Sequence, residues 1–335
     1  MGYIYTNFIL DQVIIPHMRI SLAITVHNEE ANIRRLFSSI LEQTRLPDEL
    51  IICDGGSTDN TVAIMSEYSD QLPLRVLVRP GVNISTGRNV AIRESSGDII
   101  AVTDAGVRLE ADWIELLTTC FKQQDVNHAA GFFCADVSTA FETAMGATVL
   151  PALEDIRPQT FLPSSRSVAF RKEAWEKVGG YPEWLDYSED VVFDMKMIDC
   201  FGKFTFIPKA IVQFQPRSTM QQFARQYYNY ASGDGHAGLF LHIHFIRYFT
   251  YLIAVPLGIY AALTVHPSIW LAGLMAGIAY IRRPITRVRI LWNELPTLDR
   301  AKVMLLIPTI RIIGDLAKMV GYPIGIWKRF TIRKG

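Results

Sequence analysis

Residues 20–54 read ISLAITVHNEEANIRRLFSSILEQTRLPDELIICD. Ile20 to Val26 is an apolar run of strand length. Ala31 to Gln43 then carries Ile33, Leu36, Phe37, Ile40 and Leu41, the i, i+3, i+4, i+7, i+8 spacing of a helix with one buried stripe. Leu50 to Cys53 is apolar again, so the stretch reads as strand, helix, strand. The alternation continues, with Leu74 to Val78 and Ile99 to Thr103 as strands and helical stretches near Asp59 to Tyr68 and Ile84 to Ser95. Such a series predicts an α/β fold with a mostly parallel sheet flanked by helices on both faces, either an open sheet or a half-barrel.

Farther on, the pattern predicts a helix from Trp113 to Gln123, a strand near Ala129 to Ala135, and a less regular segment to about Ser165. A strand at Val168 to Phe170 and a helix near Lys172 to Val178 follow. Val191 to Cys200 reads as helix, Phe204 to Ile207 as strand, and Met220 to Ser232 as a polar, aromatic-rich helix.

From Tyr248 to Ile281 there is no Asp, Glu, Lys or Arg. One straight helix of that length would span about 51 Å, against about 30 Å for the hydrocarbon core of a bilayer. A hairpin broken at His266-Pro267 is therefore expected, either spanning the membrane or re-entering it shallowly. Arg247 precedes the run and Arg282, Arg283, Arg287 and Arg289 follow it, which by the positive-inside rule puts both ends, and hence the α/β domain, in the cytoplasm. Near the end of the chain Arg311, Asp315, Lys318 and Tyr322 share one helix face, opposite Ile312, Leu316, Met319 and Val320. The pattern fits an in-plane interfacial helix or an amphipathic helix packed on the domain.

Composition agrees with a chain partly solvated by lipid: half of its 335 residues are hydrophobic and the mean hydropathy is +0.18. Lys plus Arg and Asp plus Glu both total 33, so no overall field draws the protein to nucleic acid, and no nucleic-acid partner is expected. Cys53, Cys120, Cys134 and Cys200 form no CxxC or Cys/His pattern, which excludes a disulfide framework or zinc site as the organising principle. The residues before Arg19 make a poor signal peptide, having neither Lys nor Arg and no small-residue cleavage pattern. They are read as peripheral, with Met18 as an alternative start.

In open α/β sheets ligands gather outside the carboxyl ends of the strands. Three such places are polar: Thr25, Val26, His27, Asn28 and Glu29 after the first strand; Asp54 to Asp59 after the second; and Asp104 after the fourth. Gly55 and Gly56 would let backbone approach a ligand, whereas Asp59 is read as favouring the start of its helix. The series ITVHNEEANI, ELIICDGGSTDNT, GRNVAI, SGDIIAVTDAG and GGYPEWLDYSEDVVF, in that order between Arg19 and Gly235, resembles the family 2 glycosyltransferases of the GT-A fold.

The resemblance implies that residues 19–238 form a GT-A domain, and the patterns above leave 1–18 as a peripheral segment, 239–290 as a membrane hairpin and 291–335 as an amphipathic helical region. It implies an inverting transfer from a nucleotide-diphosphate sugar to a glycan or lipid-linked acceptor at the cytoplasmic face of the cell membrane. Thr25, His27, Asn28, Glu29, Asp54, Arg88 and Asp104 would bind the donor. Asp104 would also hold Mg2+ or Mn2+ as the first residue of the family's Asp-x-Asp motif. Asp190 would be the catalytic base, with Glu189 orienting the acceptor or the loop. Two departures stand out. The metal motif reads Asp104-Ala105-Gly106, so a carboxylate is missing and weaker metal binding is expected, with His236 a candidate later ligand. Gln222 to Tyr227 only partly matches the Gln-x-x-Arg-Trp motif of processive relatives.

Gly233, Gly235 and Gly238 spell G-x-G-x-x-G, but a helix precedes them and an uncharged stretch follows, which rejects a dinucleotide-binding turn. They are expected to form a flexible turn before the membrane segment. The competing functional class is an inactive nucleotide-sugar-binding membrane scaffold, against which the retained Glu189-Asp190 pair argues.

Overall fold

A computed structural model describes residues 18–289, 292 and 295–331, so the expected peripheral segment before Met18 lies outside the described residues. The chain begins with β1 (Ile20–Val26), α1 (Ile33–Leu41), β2 (Glu49–Asp54), α2 (Thr61–Ser66), β3 (Leu74–Val78), α3 (Ile84–Glu94) and β4 (Ile99–Asp104). These four strands pair in parallel in the order β3-β2-β1-β4. The expected α/β architecture is therefore present.

Side chains alternate across β1, as a period of two requires. Ile20, Leu22, Ile24 and Val26 join Ile33, Leu36, Phe37 and Ile40 of α1 in one core layer. Ala23 faces the other layer with Ile51, Ile100 and Val102. The short β5 (Val107–Leu109), α4 (Trp113–Thr119), β6 (His128–Ala135), α5 (Ala140–Val149), β7 (Val168–Arg171), α6 (Lys172–Val178), α7 (Glu189–Phe201) and β8 (Thr205–Phe214) complete the sheet and its covering helices. The eight-stranded order is β3-β2-β1-β4-β7-β6-β8-β5, and β7 runs antiparallel to both β4 and β6. Register brings Thr25 beside Asp104 and Val26 beside Asp54, so three strand ends open at one edge.

Besides the short β5, which was not expected, two elements depart from the expected pattern. The segment before Ser165 holds α5, begun by a capping box in which Thr139 Oγ1 accepts from Glu142 N at 3.2 Å and the Glu142 carboxylate accepts from Thr139 N at 3.1 Å. The strand expected at Phe204 to Ile207 continues to Phe214, because its later residues pair with β6 and β5.

The remaining chain is helical: α8 (Met220–Ala237), α9 (Leu241–Phe249), a π-helical turn (Thr250–Ala254), α10 (Val255–Thr264), α11 (Ile269–Val288) and α12 (Thr297–Thr331). A hairpin turn does fall at His266-Pro267, between α10 and α11. Among the described residues one helix, Leu241–Thr264, is long and apolar enough to cross a membrane, and 6% of its apolar window is buried.

The G-x-G-x-x-G series is not a flexible turn. Gly233 and Gly235 lie inside α8, and only Gly238, with φ of 73°, turns the chain as the helix C-cap. A Cβ on Gly235 would collide with the Tyr322 carbonyl of α12, and Cβ atoms on Gly321 and Gly325 would collide with the Tyr228 and Ser232 carbonyls of α8. These glycines let two helix backbones approach closely. Phe223 of α8, Met145 of α5 and Val303, Ile307 and Ile310 of α12 build a third core around that crossing.

The close crossing decides which face of α12 points inward. Asp315 pairs with Arg247 at 2.8 Å, Lys318 lies over the Tyr227 ring at 4.8 Å, and Tyr322 is buried. Ile312, Leu316 and Val320 are exposed. The helix thus packs on α8 and α5 with its polar face turned inward and leaves its apolar face exposed.

Candidate functional site

The strand ends, the start of α7 and one face of α8 enclose a cleft of about 1340 Å³. Thr25, His27, Glu29, Arg88, Asp104, Glu189 and Asp190 all line it. Seven of the nine residues singled out in the sequence thus meet in one place.

Asn28 and Asp54 do not line it; they build its rim. Asn28 adopts φ of 54°, and its Oδ1 accepts from Thr58 N at 2.8 Å while its own N–H donates to Ser57 Oγ at 2.8 Å. Asp54 is buried and accepts from Gly56 N at 2.9 Å, Ser57 N at 3.0 Å and Ser57 Oγ at 2.5 Å. A short polar side chain tolerates the left-handed conformation, and a carboxylate with several lone pairs can gather a turn about itself. Gly56, at φ of 92°, has Pro80 against it where a Cβ would stand, so this turn requires glycine. Asp59 serves the start of α2, accepting from Thr61 N at 3.0 Å.

Arg88 is the hub of the carboxylates. On α3 and buried, it donates from Nη2 to Asp104 Oδ1 at 2.7 Å and from Nη1 to Glu189 Oε1 at 2.6 Å. Arg166 Nε stands 3.5 Å from Asp104 Oδ2 with no hydrogen-bond partner among the described residues. Burial opposes ionisation of Asp104, but the two guanidinium groups outweigh it and hold the carboxyl below its ordinary value. Glu189 differs. Burial and then the Asp190 charge push it up to about 7, and Arg88, shared with Asp104, only partly offsets them. One turn farther along α7, Asp194 is fully buried with neither oxygen hydrogen-bonded among the described residues. Burial and then the Asp190 charge hold its carboxyl well above the ordinary range.

Glu189 and Asp190 occupy the first turn of α7, where the helix dipole favours carboxylates. Ser188 before them adopts φ of 63°, and Gly233 of α8 packs so tightly on it that a Cβ would lie 2.5 Å from Tyr187 O and 2.7 Å from Ser188 Oγ. Asp190 Oδ1 accepts from Val191 N at 2.9 Å.

Sequence reasoning missed Arg166, Arg217, Tyr187, Tyr230 and Asp234, all of which line the cleft. For α8 a signal existed: Gln222, Arg225, Gln226 and Asn229 fall at i, i+3, i+4 and i+7, a polar stripe that lines the cleft. His236 is not in the lining; its ring meets Trp184 edge-on at 5.0 Å.

Among the described residues no group of three or more His, Cys, Asp and Glu side chains is placed to hold a metal ion. Asp104 nevertheless suits a minimal site. Arg88 takes Oδ1, while Oδ2 faces Arg166 Nε at 3.5 Å as an ion pair and accepts no hydrogen bond among the described residues. One carboxylate oxygen suffices for a hard divalent ion that draws its remaining ligands from diphosphate and water.

The profile of the family described as Glycosyl transferase family 2 matches residues 21–162. The O-antigen chain rhamnosyltransferase of Salmonella typhimurium is 25% identical over 229 residues, covering 62% of this chain and 70% of the relative. That of Salmonella anatum is 25% identical over 207 residues, covering 58% of this chain and 64% of the relative. Among solved structures, a mannosyltransferase from Pyrobaculum calidifontis in complex with GDP-Man and Mn2+ superposes with a TM-score of 0.61 at 16% identity, over 94% of this chain and 88% of the other. At that identity the likeness concerns the fold.

Proposed function

We propose that the chain, whose residues 21–162 match the model of glycosyl transferase family 2, is an enzyme of that family, and that it transfers a sugar, with inversion, from a nucleotide-diphosphate sugar to an acceptor hydroxyl, with Asp190 as the base. The observation that carries this reading is the meeting of Asp190 with the strand-end residues in one cleft. Glu189 is tied to Arg88 and Asp104 is held between two arginines. Asp190 is in no ion pair among the described residues and is left to take a proton.

In the reaction, the acceptor hydroxyl loses its proton to Asp190 as its oxygen forms a bond to the anomeric carbon. The bond from that carbon to the diphosphate breaks on the opposite face, and the departing oxygen keeps the electron pair. A carboxylate within hydrogen-bond reach is worth about 10² to 10⁴ in rate. Arg217 and Arg225 line the cleft and supply positive charge for the diphosphate. Mg2+ or Mn2+ held by Asp104 would add Lewis-acid stabilisation of the same leaving group. Thr25, His27 and Glu29 face the donor, while Asn28 and Asp54 shape the turn that receives it.

The acceptor we propose is lipid-linked, and the enzyme sits on the cytoplasmic face of the cell membrane. Three features support this. Leu241–Thr264 meets the length and hydropathy of a membrane span. The outer face of α12 exposes Leu305, Ile312, Leu316, Val320 and Trp327 beside that span. Arg282, Arg283, Arg287 and Arg289 gather where the hairpin returns to the domain.

The test is Asp190→Asn, which keeps size and removes basicity. With a panel of UDP-, GDP- and dTDP-sugars, turnover is expected to fall at least about a hundredfold while nucleotide binding stays within twofold. Normal turnover, or a product with the donor's anomeric configuration, would refute the mechanism.

A further inference from the structure

We propose that His244 is a positioning residue for the catalytic turn: through Asp234 and Ser188, the membrane-side helix α9 fixes the start of α7 and with it Asp190. This rests on the assignment of Asp190 as base.

The connection is a continuous run of polar contacts. Ser188 Oγ donates to Asp234 Oδ1 at 2.9 Å. Asp234 Oδ2 stands 3.4 Å from His244 Nε2, and Arg247 Nη1 is 3.0 Å from His244 Nδ1. A guanidinium has donors only, so Nδ1 must offer its lone pair to Arg247 and the ring proton must sit on Nε2, facing Asp234. Arg247 Nε then donates to Asp315 Oδ1 at 2.8 Å, and Asp315 Oδ2 accepts from Tyr280 Oη at 2.5 Å and Tyr251 Oη at 3.2 Å. The run therefore ties α7, α8, α9, the π-helical turn, α11 and α12 together.

Three features set this run apart from ordinary surface pairing. His244 is buried and lies flat on Tyr322, with ring centroids 3.8 Å apart and planes 15° apart, so its edge cannot swing. Ser188 is in the left-handed region, which costs a non-glycine residue energy and persists where the surroundings enforce it. Ion pairs inside an apolar helical unit are costly to bury, and polar groups kept there mark function more often than stability. The end of the run is the residue before Glu189 and Asp190. A displacement of about 1 Å in a catalytic group can cost about 10² in rate.

The experiment uses the full chain in detergent or vesicles with two single variants and their combination. His244→Phe keeps the stacked ring on Tyr322 and removes both nitrogen contacts. Ser188→Ala removes the other end of the run. Each is expected to lower kcat by about 10- to 100-fold with UDP, GDP or dTDP binding within twofold, and the double variant is expected to be no worse than the more severe single. A purely structural role would lower the unfolding temperature and the yield of active enzyme without changing kcat per folded molecule. Retention of kcat within twofold in either variant, or losses that multiply in the double, overturns the proposal. If His244→Phe does not accumulate, Ser188→Ala decides alone. Asp190→Asn in the same series separates the two levels. Normal turnover there removes the assignment of the base, whereas its loss alongside unaffected Ser188→Ala and His244→Phe removes only the positioning role.

Discussion

Glu189→Gln is expected to stabilise the protein at alkaline pH and to make little difference near pH 5. One guanidinium, Arg88, serves Asp104 at 2.7 Å and Glu189 at 2.6 Å, with Asp190 adjacent, so its single charge cannot neutralise all three carboxylates. Asp104 has Arg166 as well, so of the two carboxylates that share Arg88 it is Glu189 whose charge is the less compensated. Holding its carboxyl at about 7 against an ordinary 4.5 corresponds to about 3 kcal/mol at about 1.4 kcal/mol per pH unit. Because the folded value is raised, the stability carried by the protonated form is complete below about pH 4.5 and is lost as pH rises through about 7. Glutamine stays neutral throughout and lets Arg88 pair fully with Asp104. Unfolding of both proteins in one detergent at pH 5 and pH 8 measures the difference. The expected gap is less than about 1 kcal/mol at pH 5 and about 3 kcal/mol in favour of Gln at pH 8. A gap independent of pH, or a less stable variant at pH 8, would refute the unequal sharing of Arg88.

Asp104→Ala is expected to abolish the stimulation of nucleotide binding by Mg2+ or Mn2+, and Gly106→Asp to strengthen it, since no atom lies within 4 Å of where the new Cβ would stand. Isothermal titration of UDP and GDP with and without metal decides; metal stimulation that survives Asp104→Ala places the ion elsewhere. Leu316→Glu with Val320→Glu puts charge on the exposed face of α12 and is expected to weaken vesicle binding at a cost of up to about 2.5 to 3.5 kcal/mol per charge. Cosedimentation unchanged from the parent would show that this face does not meet lipid.

The parallel half of the sheet was legible because its signal is local. Each of β1 to β4 is a short apolar run, and α1 carries its stripe within nine residues. The cleft's strand-end side was legible for the same reason, since Thr25, His27, Glu29 and Asp104 follow directly on those runs. What was not legible depends on distant partners. β5 is three residues long and exists because Val107, Arg108 and Leu109 pair with Phe214, Gln213 and Val212. Arg166 and Asp234 enter the cleft through the β6–β7 connection and the far end of α8, which no motif spans. Asp54 was read by its address at a strand end, yet its carboxylate is filled by the turn that follows it. Position in the fold marks a candidate, and the local competition for hydrogen bonds decides what that candidate can touch.

The same contrast between local pattern and distant partner explains α12. Taken alone, a helix with Arg311, Asp315, Lys318 and Tyr322 on one side should turn that side to water. Here the opposite face is outermost, because Gly321 and Gly325 can meet the α8 backbone only if their side of the helix faces inward. Asp315 and Tyr322 lie on that side, and both find polar partners there: Arg247 for Asp315, and the Leu239 carbonyl at 3.1 Å for the Tyr322 hydroxyl. A buried charge without a partner would cost several kcal/mol, so the inward polar face is tolerable only because α9, the π-helical turn and α11 bring Arg247, Tyr251 and Tyr280 to it. The apolar side is then left outermost, beside the hairpin. Small residues at a helix crossing, buried polar pairs and an apolar exterior together form the pattern expected of helices packed where the surrounding solvent is lipid. The inversion that makes α12 look wrong for water is thus the feature that ties the hairpin, the third core and the turn before Asp190 into one unit.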